Sequence, residues 1–258
     1  MPELDRPAVF VHLLPGLIPP GALLGGLAVV VDVLRATTVM VHALASGAEA
    51  IAPCGEIDEA VRVAAELPAG STVLGGERQG LPIEGFDLGN SPAAYTEEVC
   101  GGKTVVMTTT NGTRAILASL EAERVLVAAF VNLRATVEVL SLNVLKVHAL
   151  PVHIVCAGTD GHVSAEDTLM AGALVSGLTE YREIPPGNDE AVIAASYWRD
   201  AVSRNERDGL ADPLSQGRGG RRVLELGLGA DLADAARVDR FPLVAELRRN
   251  PLRVVRVS

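Results

Sequence analysis

A chain of 258 residues, 48% hydrophobic and 21% charged, can bury a large core and lies far from the composition of a disordered segment. Its net charge of -10 argues against binding along a nucleic-acid backbone, and aromatic residues at 3% leave little for a base-stacking platform. An acidic protein that holds a small anion needs local arginines, backbone N–H donors or a divalent cation.

Val9 to Leu13 alternates as a first strand, and the Pro- and Gly-rich stretch to Gly26 reads as a loop. Pro15, Pro19 and Pro20 interrupt the apolar region from Ala8 to Val31, and no basic segment precedes it, so neither a spanning helix nor a signal peptide is expected. Leu27 to Val33 is an apolar, β-branched run of the kind buried on both faces of a parallel sheet. It carries Asp32 near its end, with Arg35 following and a helical pattern from Val39. A carboxylate there is costly to bury without a partner, which places it at the crevice along the carboxyl edge of the sheet.

A strand at Glu49 to Pro53, a helix at Ile57 to Leu67 and a short strand at Thr72 to Leu74 come next. The segment Gly75 to Pro92 is expected to be a long loop holding Glu77, Arg78, Glu84, Asp87, Asn90 and Ser91, and loops of that length are usually functional. Three carboxylates on one segment repel unless solvated, spread apart or bridged by a cation, and Mg²⁺ suits a few carboxylates completed by water and phosphate oxygens.

Lys103 to Arg114, K-T-V-V-M-T-T-T-N-G-T-R, then runs from an apolar strand through threonines, Asn111 and Gly112 into a helix from Ala115. Such a corner suits anionic oxygens, and it equally suits an ordinary helix cap. Arg124 to Phe130 is a further strand, and a helix is expected from Asn132 to about Val147. Leu133-Arg134-Ala135-Thr136 echoes Leu34-Arg35-Ala36-Thr37, which raises an internal duplication of two similar halves. After a strand at Val152 to Cys156, Ser164 and Asp167 have the spacing of a capping box, with Glu166 and Asp167 favoured there by the helix dipole. Helices at Asn188 to Arg207 and Arg218 to Leu226 and an edge strand at Leu252 to Val257 complete the chain. This helical last third is expected to close over the sheet or to build an interface, as in a homo-oligomer.

Several motifs fail. Gly101-Gly102-Lys103-Thr104 lacks the first glycine of a P-loop, since position 97 is Glu97, and Lys103 precedes a strand. Gly227-Leu228-Gly229 lacks the third glycine of a dinucleotide fold. No histidine pair, His148 included, has metal-ligand spacing, and there is no G-x-S-x-G elbow. Cys54, Cys100 and Cys156 are widely spaced and odd in number, as befits reduced, core-filling thiols of a cytoplasmic protein.

The remaining polar groups at strand ends and loops are carboxylates for a cation, arginines and a threonine-glycine turn for anionic oxygens. Together they suggest a Mg²⁺-assisted reaction on a small phosphorylated acid. V-V-V-D-V-L-R-A-T-T (29 to 38), L-G-G-E-R-Q-G-L-P-I-E-G-F-D-L-G-N-S-P (74 to 92), G-K-T-V-V-M-T-T-T-N-G-T-R-A-I (102 to 116) and S-A-E-D-T-L-M-A-G-A-L-V (164 to 175) resemble the 2-phosphosulfolactate phosphatase family, named for its part in coenzyme M biosynthesis.

The resemblance implies a three-layer α/β/α fold with a mostly parallel or mixed sheet, formed by residues 1–258 as one unit. It also implies Mg²⁺-dependent release of phosphate from 2-phosphosulfolactate and related phosphorylated 2-hydroxy acids. Asp32, Arg35, Glu77, Glu84, Asp87, Asn90, Ser91, Asn111, Thr113, Arg114 and Asp167 fall on its motif positions. Asp32, Glu77 and Asp87 are thereby catalytic candidates, and Asp32, Glu77, Glu84 and Asp167 candidate Mg²⁺ ligands. Arg35, Asn90, Ser91, Asn111, Gly112, Thr113 and Arg114 are candidate substrate contacts. Whether Asp32 or a water attacks phosphorus stays open at this level. The alternatives are a haloacid-dehalogenase-like phosphatase, whose second Asp would fall at Leu34, and a non-catalytic binding module for a small anionic metabolite.

Overall fold

The computed structural model describes residues 7–144, 150–204 and 209–257. In chain order, β1 (Val9–His12), β2 (Leu27–Val31), α1 (Ala36–Ala45), β3 (Ala50–Pro53) and α2 (Ile57–Ala65) come first. They are followed by β4 (Thr72–Arg78), β5 (Leu81–Pro82), α3 (Glu97–Cys100), β6 (Thr104–Thr108), α4 (Gly112–Ala118), β7 (Arg124–Ala128) and α5 (Leu133–Val144). The last part holds β8 (Val152–Cys156), α6 (Ala165–Arg182), α7 (Asp189–Arg204), α8 (Ala211–Gln216), α9 (Arg218–Glu225), α10 (Gly229–Ala235), β9 (Val244–Arg249) and β10 (Leu252–Val257). The expected ends of the helices at Val147 and Arg207, and His148, lie outside the described residues.

The strands form one mixed sheet in the order β1-β8-β2-β7-β9-β10-β3-β6-β4-β5. β1, β8, β2 and β7 run parallel, as do β3, β6 and β4, and the antiparallel hairpin of β9 and β10 joins the two sets. Alternate residues of β2 belong to opposite cores. Val29 and Val31 pack in the layer with α5, α6 and α7, while Ala28 and Val30 pack in the layer with α1 and α4. The fold is therefore three-layer α/β/α, and β2 is buried on both faces, as its unbroken apolar run requires.

Three expectations change. β10 is not an edge strand: it pairs with β9 on one side and with β3 at Val254↔Ile51 on the other. A strand's own pattern reports which faces it buries and not its place across the sheet. β9 itself, unassigned from sequence, is held by Leu126↔Glu246 pairing and by the Arg124 Nη2 to Glu246 Oε2 ion pair at 2.8 Å. β4 does not stop at Leu74 but continues through Gly75 and Gly76 to Arg78. A Cβ on Gly76 would stand 2.0 Å from Thr108 O, and one on Gly75 would stand 2.3 Å from the Tyr95 hydroxyl. These glycines let the strand run close against β6 rather than turn away from it.

The echo at Leu133 lies in a comparable place: β2 with α1 and β7 with α5 are neighbouring parallel βα units. The two arginines nevertheless differ, Arg35 being buried and Arg134 exposed beside Glu138. Asn132 is a local cap whose Oδ1 accepts the Ala129 N–H at 2.9 Å. All three cysteines are buried and unpaired, and no described helix is long and apolar enough to cross a membrane.

Three histidines are folded into these cores as neutral rings. His12 Nε2 and His153 Nδ1 share a hydrogen bond of 3.1 Å, and His42 meets Phe241 edge-on with its Nε2 unpartnered. Burial lowers His42 and His153 to about 4 and lowers His12 as well, from an ordinary 6.5. Because the folded values lie below the unfolded one, the unfolded chain takes up more protons as pH falls below 6.5. Urea unfolding should therefore show stability constant in these groups above pH 6.5 and falling between 6.5 and about 4, and His42→Leu should make that fall shallower.

Candidate active site

The carboxyl ends of β2, β6 and β8, the β4–β5 hairpin and the helix α9 converge on one small cavity of about 40 Å³. That volume is the room of about three water molecules, a scale for a compact anion rather than a nucleotide. Asp32, Arg35, Glu77, Asn90, Thr110 and Asn111 form its inner wall, and Thr159, Asp160, Gly219 and Arg222 close the opposite side.

Asp32 is fixed by its own backbone. Its N–H donates to Thr37 Oγ1 at 3.0 Å, that hydroxyl donates to Asp32 O at 2.9 Å, and Asp32 Oδ1 accepts the Ala36 N–H at 3.4 Å. Burial, reinforced by the Glu77 carboxylate, raises its carboxyl to about 7; Glu166 adds to the rise, and the Ala36 N–H and Arg35 oppose it. Gly112 is required by this approach: a Cβ there would lie 2.7 Å from Asp32 Oδ2 and 2.5 Å from Ala36 Cβ.

Two further buried carboxylates stand behind Asp32. Asp167 Oδ1 accepts the Val33 N–H at 2.8 Å and Oδ2 accepts the Gly158 N–H at 2.9 Å, so it stitches together the turns that follow β2 and β8. Burial, together with Asp32 and Glu166, pushes Asp167 well above the usual carboxylate range. Glu166 Oε1 accepts the Gly219 N–H at 3.1 Å, Oε2 has no partner, and burial raises this group also. The expected capping box is absent, because the Ser164 side chain makes no cap hydrogen bond and Asp167 is turned to the neighbouring turns. Packing demand outweighed the local motif there.

Arg35 is the buried cation of the site. Its Nη1 donates to Asp231 Oδ2 at 2.7 Å and to Ser91 Oγ at 3.3 Å, and its Nη2 donates to Gly80 O at 2.9 Å. Ser91 Oγ in turn donates to the same Asp231 oxygen at 2.9 Å. Arg222 differs: its side chain is 37% exposed, it donates from Nε and Nη2 to Gln79 O, and its Nη1 stands 3.5 Å from Asp160 Oδ2. Exposed pairs of that kind contribute about 0–1 kcal/mol, whereas removing one partner of a buried pair costs about 3–5 kcal/mol.

A sequence model of the family described as 2-phosphosulpholactate phosphatase matches residues 12–250. The chain is 36% identical to a relative from Caldanaerobacter subterraneus subsp. tengcongensis over 225 residues, 87% of this chain and 89% of the relative. It is 39% identical to one from Symbiobacterium thermophilum over 229 residues, 88% and 94% of the two chains. Both relatives carry the name "Probable 2-phosphosulfolactate phosphatase". The chain belongs to the 2-phosphosulpholactate phosphatase family.

Within this family member, the residues singled out from sequence separate into two groups. Asp32, Arg35, Glu77, Asn90 and Asn111 line the cavity, with Ser91 directly behind on Arg35 and Gly112 against Asp32. Glu77 is buried rather than on an open loop, and its Oε1 and Oε2 accept the N–H groups of Thr110 and Gly80 at 2.7 and 2.6 Å. Glu84 and Asp87 are exposed and do not line the cavity; Asp87 Oδ2 accepts the Leu74 N–H at 2.8 Å, on the flank of β4. Arg78 is occupied by Thr108 Oγ1, Gly55 O and Glu77 O. Thr113 is buried in reciprocal hydrogen bonds with Thr109, and Arg114 is exposed beside a separate, mainly apolar cleft at Leu14 and Leu17.

Sequence reasoning missed Asp231 and Arg222, although a signal existed. Leu228, Asp231, Leu232 and Ala235 recur at helical spacing with the carboxylate on an otherwise apolar stripe. Gly219, Arg222, Val223 and Leu226 do the same with a cation, and all four line the cavity. A charge on a buried stripe announces a partner from elsewhere in the chain.

Two substitutions test this construction. Asp231→Ala should strand the Arg35 charge and lower the unfolding free energy by about 3–5 kcal/mol in urea titration, and a loss under about 1 kcal/mol would mean that Arg35 finds another anion. Gly112→Ala should lower turnover and also cost about 1–3 kcal/mol of stability, because the added methyl meets both Asp32 Oδ2 and the buried Ala36 Cβ; steady-state rates beside a urea titration check it.

Proposed function

We propose that this protein is a Mg²⁺-dependent phosphatase that hydrolyses 2-phosphosulfolactate to sulfolactate and phosphate, with related phosphorylated 2-hydroxy acids as further substrates, in the cytoplasm. Membership of the family supports the reaction class, and the observation that carries the site is the buried Asp32. Its carboxyl is raised by burial and by Glu77 on the floor of a cavity that also presents Arg35. A desolvated cluster of carboxylates calls for a cation, and a phosphate calls for one too.

The donor set fits Mg²⁺. Among the described residues no three histidine, cysteine, aspartate or glutamate groups converge into a closed cage. Mg²⁺ ordinarily takes one or two carboxylates and completes its shell with water and phosphate oxygens, so Asp32 and Glu77 suffice as an open site. Glu77 keeps free lone pairs on both oxygens after accepting its two backbone N–H bonds. Glu84, Asp87 and Asp167 are left out of this reading: the first two are exposed away from the cavity, and the third is buried behind Asp32 and does not line it. Bound there, Mg²⁺ supplies positive charge to the phosphoryl oxygens and to the leaving oxygen.

The chain's own groups do the rest. Thr110 Oγ1 is buried without a partner and is available to donate to a phosphoryl oxygen, as is Asn111 Nδ2 while its Oδ1 accepts the Asp160 N–H at 3.3 Å. Arg35, with Nε–H and one Nη2 hydrogen uncommitted among its described contacts, holds the phosphoryl group against Asp32. Hydrolysis forms a bond from oxygen to phosphorus, breaks the bond to the 2-hydroxyl oxygen and delivers a proton to that oxygen. The incoming oxygen belongs either to water or to Asp32, and acid quench of a single turnover separates them, since attack by Asp32 leaves the phosphoryl group on the protein as an acyl phosphate before water releases it, and direct attack never does.

The assay is phosphate release from phosphosulfolactate, phospholactate and phosphoglycolate, with and without EDTA. Turnover should require Mg²⁺, and Asp32→Asn should lower it by about a thousandfold or more with folding preserved. Absence of release from every compound, combined with a rise in melting temperature when they are added, would identify a binding module instead. Turnover insensitive to EDTA would remove the cation.

A further inference from the structure

We propose that Arg222 on α9 is the specificity-determining residue for the second anionic group of the substrate, and that Asp160 occupies its place until substrate arrives. The inference rests on the phosphatase reading above and adds to it the residue that separates phosphorylated acids from simple phosphate esters.

Among the described residues, two arginines line the cavity. Arg35 is committed: it is buried, paired at 2.7 Å with Asp231, and bonded to Ser91 and Gly80 as well. A ligand cannot take it from Asp231 without leaving that carboxylate buried and unpaired. Arg222 also lines the cavity, partly exposed, anchored from Nε and Nη2 to Gln79 O, with Nη1 toward a single carboxylate 3.5 Å away. That contact is long, and both partners are partly exposed, so exchanging one carboxylate for another there costs little.

Asp160 has the placing of a surrogate. Its carboxylate is chemically what a 2-phosphorylated acid offers beside its phosphate, and its backbone is held in the left-handed region at φ 52°. The Asp160 N–H donates to Asn111 Oδ1, so the residue sits between the inner wall and the rim. A substrate with its phosphoryl group at Asp32 and Arg35 and a carboxylate or sulfonate toward the rim would displace Asp160 from Nη1. An ester without that second anion has nothing to exchange. The guanidinium fork matches either oxyanion.

The test compares 2-phospholactate with isopropyl phosphate, which differ only in the carboxylate, as substrates of the intact protein with Mg²⁺. Arg222→Ala should raise KM for 2-phospholactate at least about tenfold more than KM for isopropyl phosphate, with a smaller change in kcat. Arg222→Lys should recover part of the loss. Asp160→Asn, which removes the competing charge and tolerates the left-handed backbone, should lower KM for 2-phospholactate. Equal effects of Arg222→Ala on the two esters, or a raised KM in Asp160→Asn, would overturn the assignment. If the unmodified protein releases no phosphate from either ester or from 2-phosphosulfolactate, the phosphatase reading fails. The contact is then read by calorimetry with sulfolactate, where a Kd weakened about tenfold in Arg222→Ala upholds it and equal affinities refute it.

Discussion

The buried pair of Arg35 and Asp231 is the constraint on which the site depends. A guanidinium enclosed at a strand end is tolerable only with its charge met, and the carboxylate that meets it comes from a helix almost two hundred residues later in the chain. α10 is thereby held over the turn after β2, and α9, directly before it in sequence, is brought to the rim with Arg222. Ser91 and Gly80 join the same guanidinium, so the β4–β5 hairpin and the segment after it are drawn to the same point. One cation organises four stretches of chain that share no strand pairing with each other.

Around it lies an excess of negative charge. Burial raises Asp32, Glu166 and Asp167, Asp32 and Glu166 push Asp167 up further, and Glu166 adds to the rise of Asp32, an arrangement that costs stability and is common where chemistry is done. Backbone N–H donors temper the cost for Asp167 and Glu166, and Asp32 has the weakest such compensation, a single long contact from Ala36. Among the three, Asp32 alone lines the cavity. The least satisfied carboxylate is thus the one offered to a ligand.

Much of this was legible in the sequence where local pattern and burial coincide. The unbroken run of β2 announced a central strand, and Asp32 at its end announced the crevice. Legibility failed where a residue's role depends on partners distant in sequence. Glu84 and Asp87 share a loop with Glu77, but the strand continues through Gly75 and Gly76 and carries only Glu77 inward. Asp231 and Arg222 lie outside the motif-bearing segments and become intelligible only as charges on apolar helical stripes. Ser164 and Asp167 satisfy a capping pattern that the fold overrides, because two backbone donors from the turns after β2 and β8 claim the carboxylate first.

The hairpin of β9 and β10 carries a consequence for how the chain is made. Among the described residues the two parallel sets of strands share no backbone pairing with each other, and Val244–Val257 bridges them. During synthesis both sets therefore present an open inner edge until this hairpin is made, β7 on one side and β3 on the other. Such edges invite pairing with another chain. Closure of the sheet is a single long-range event, so loss of the β9–β10 hairpin acts as a cut through the middle of the molecule rather than at its margin.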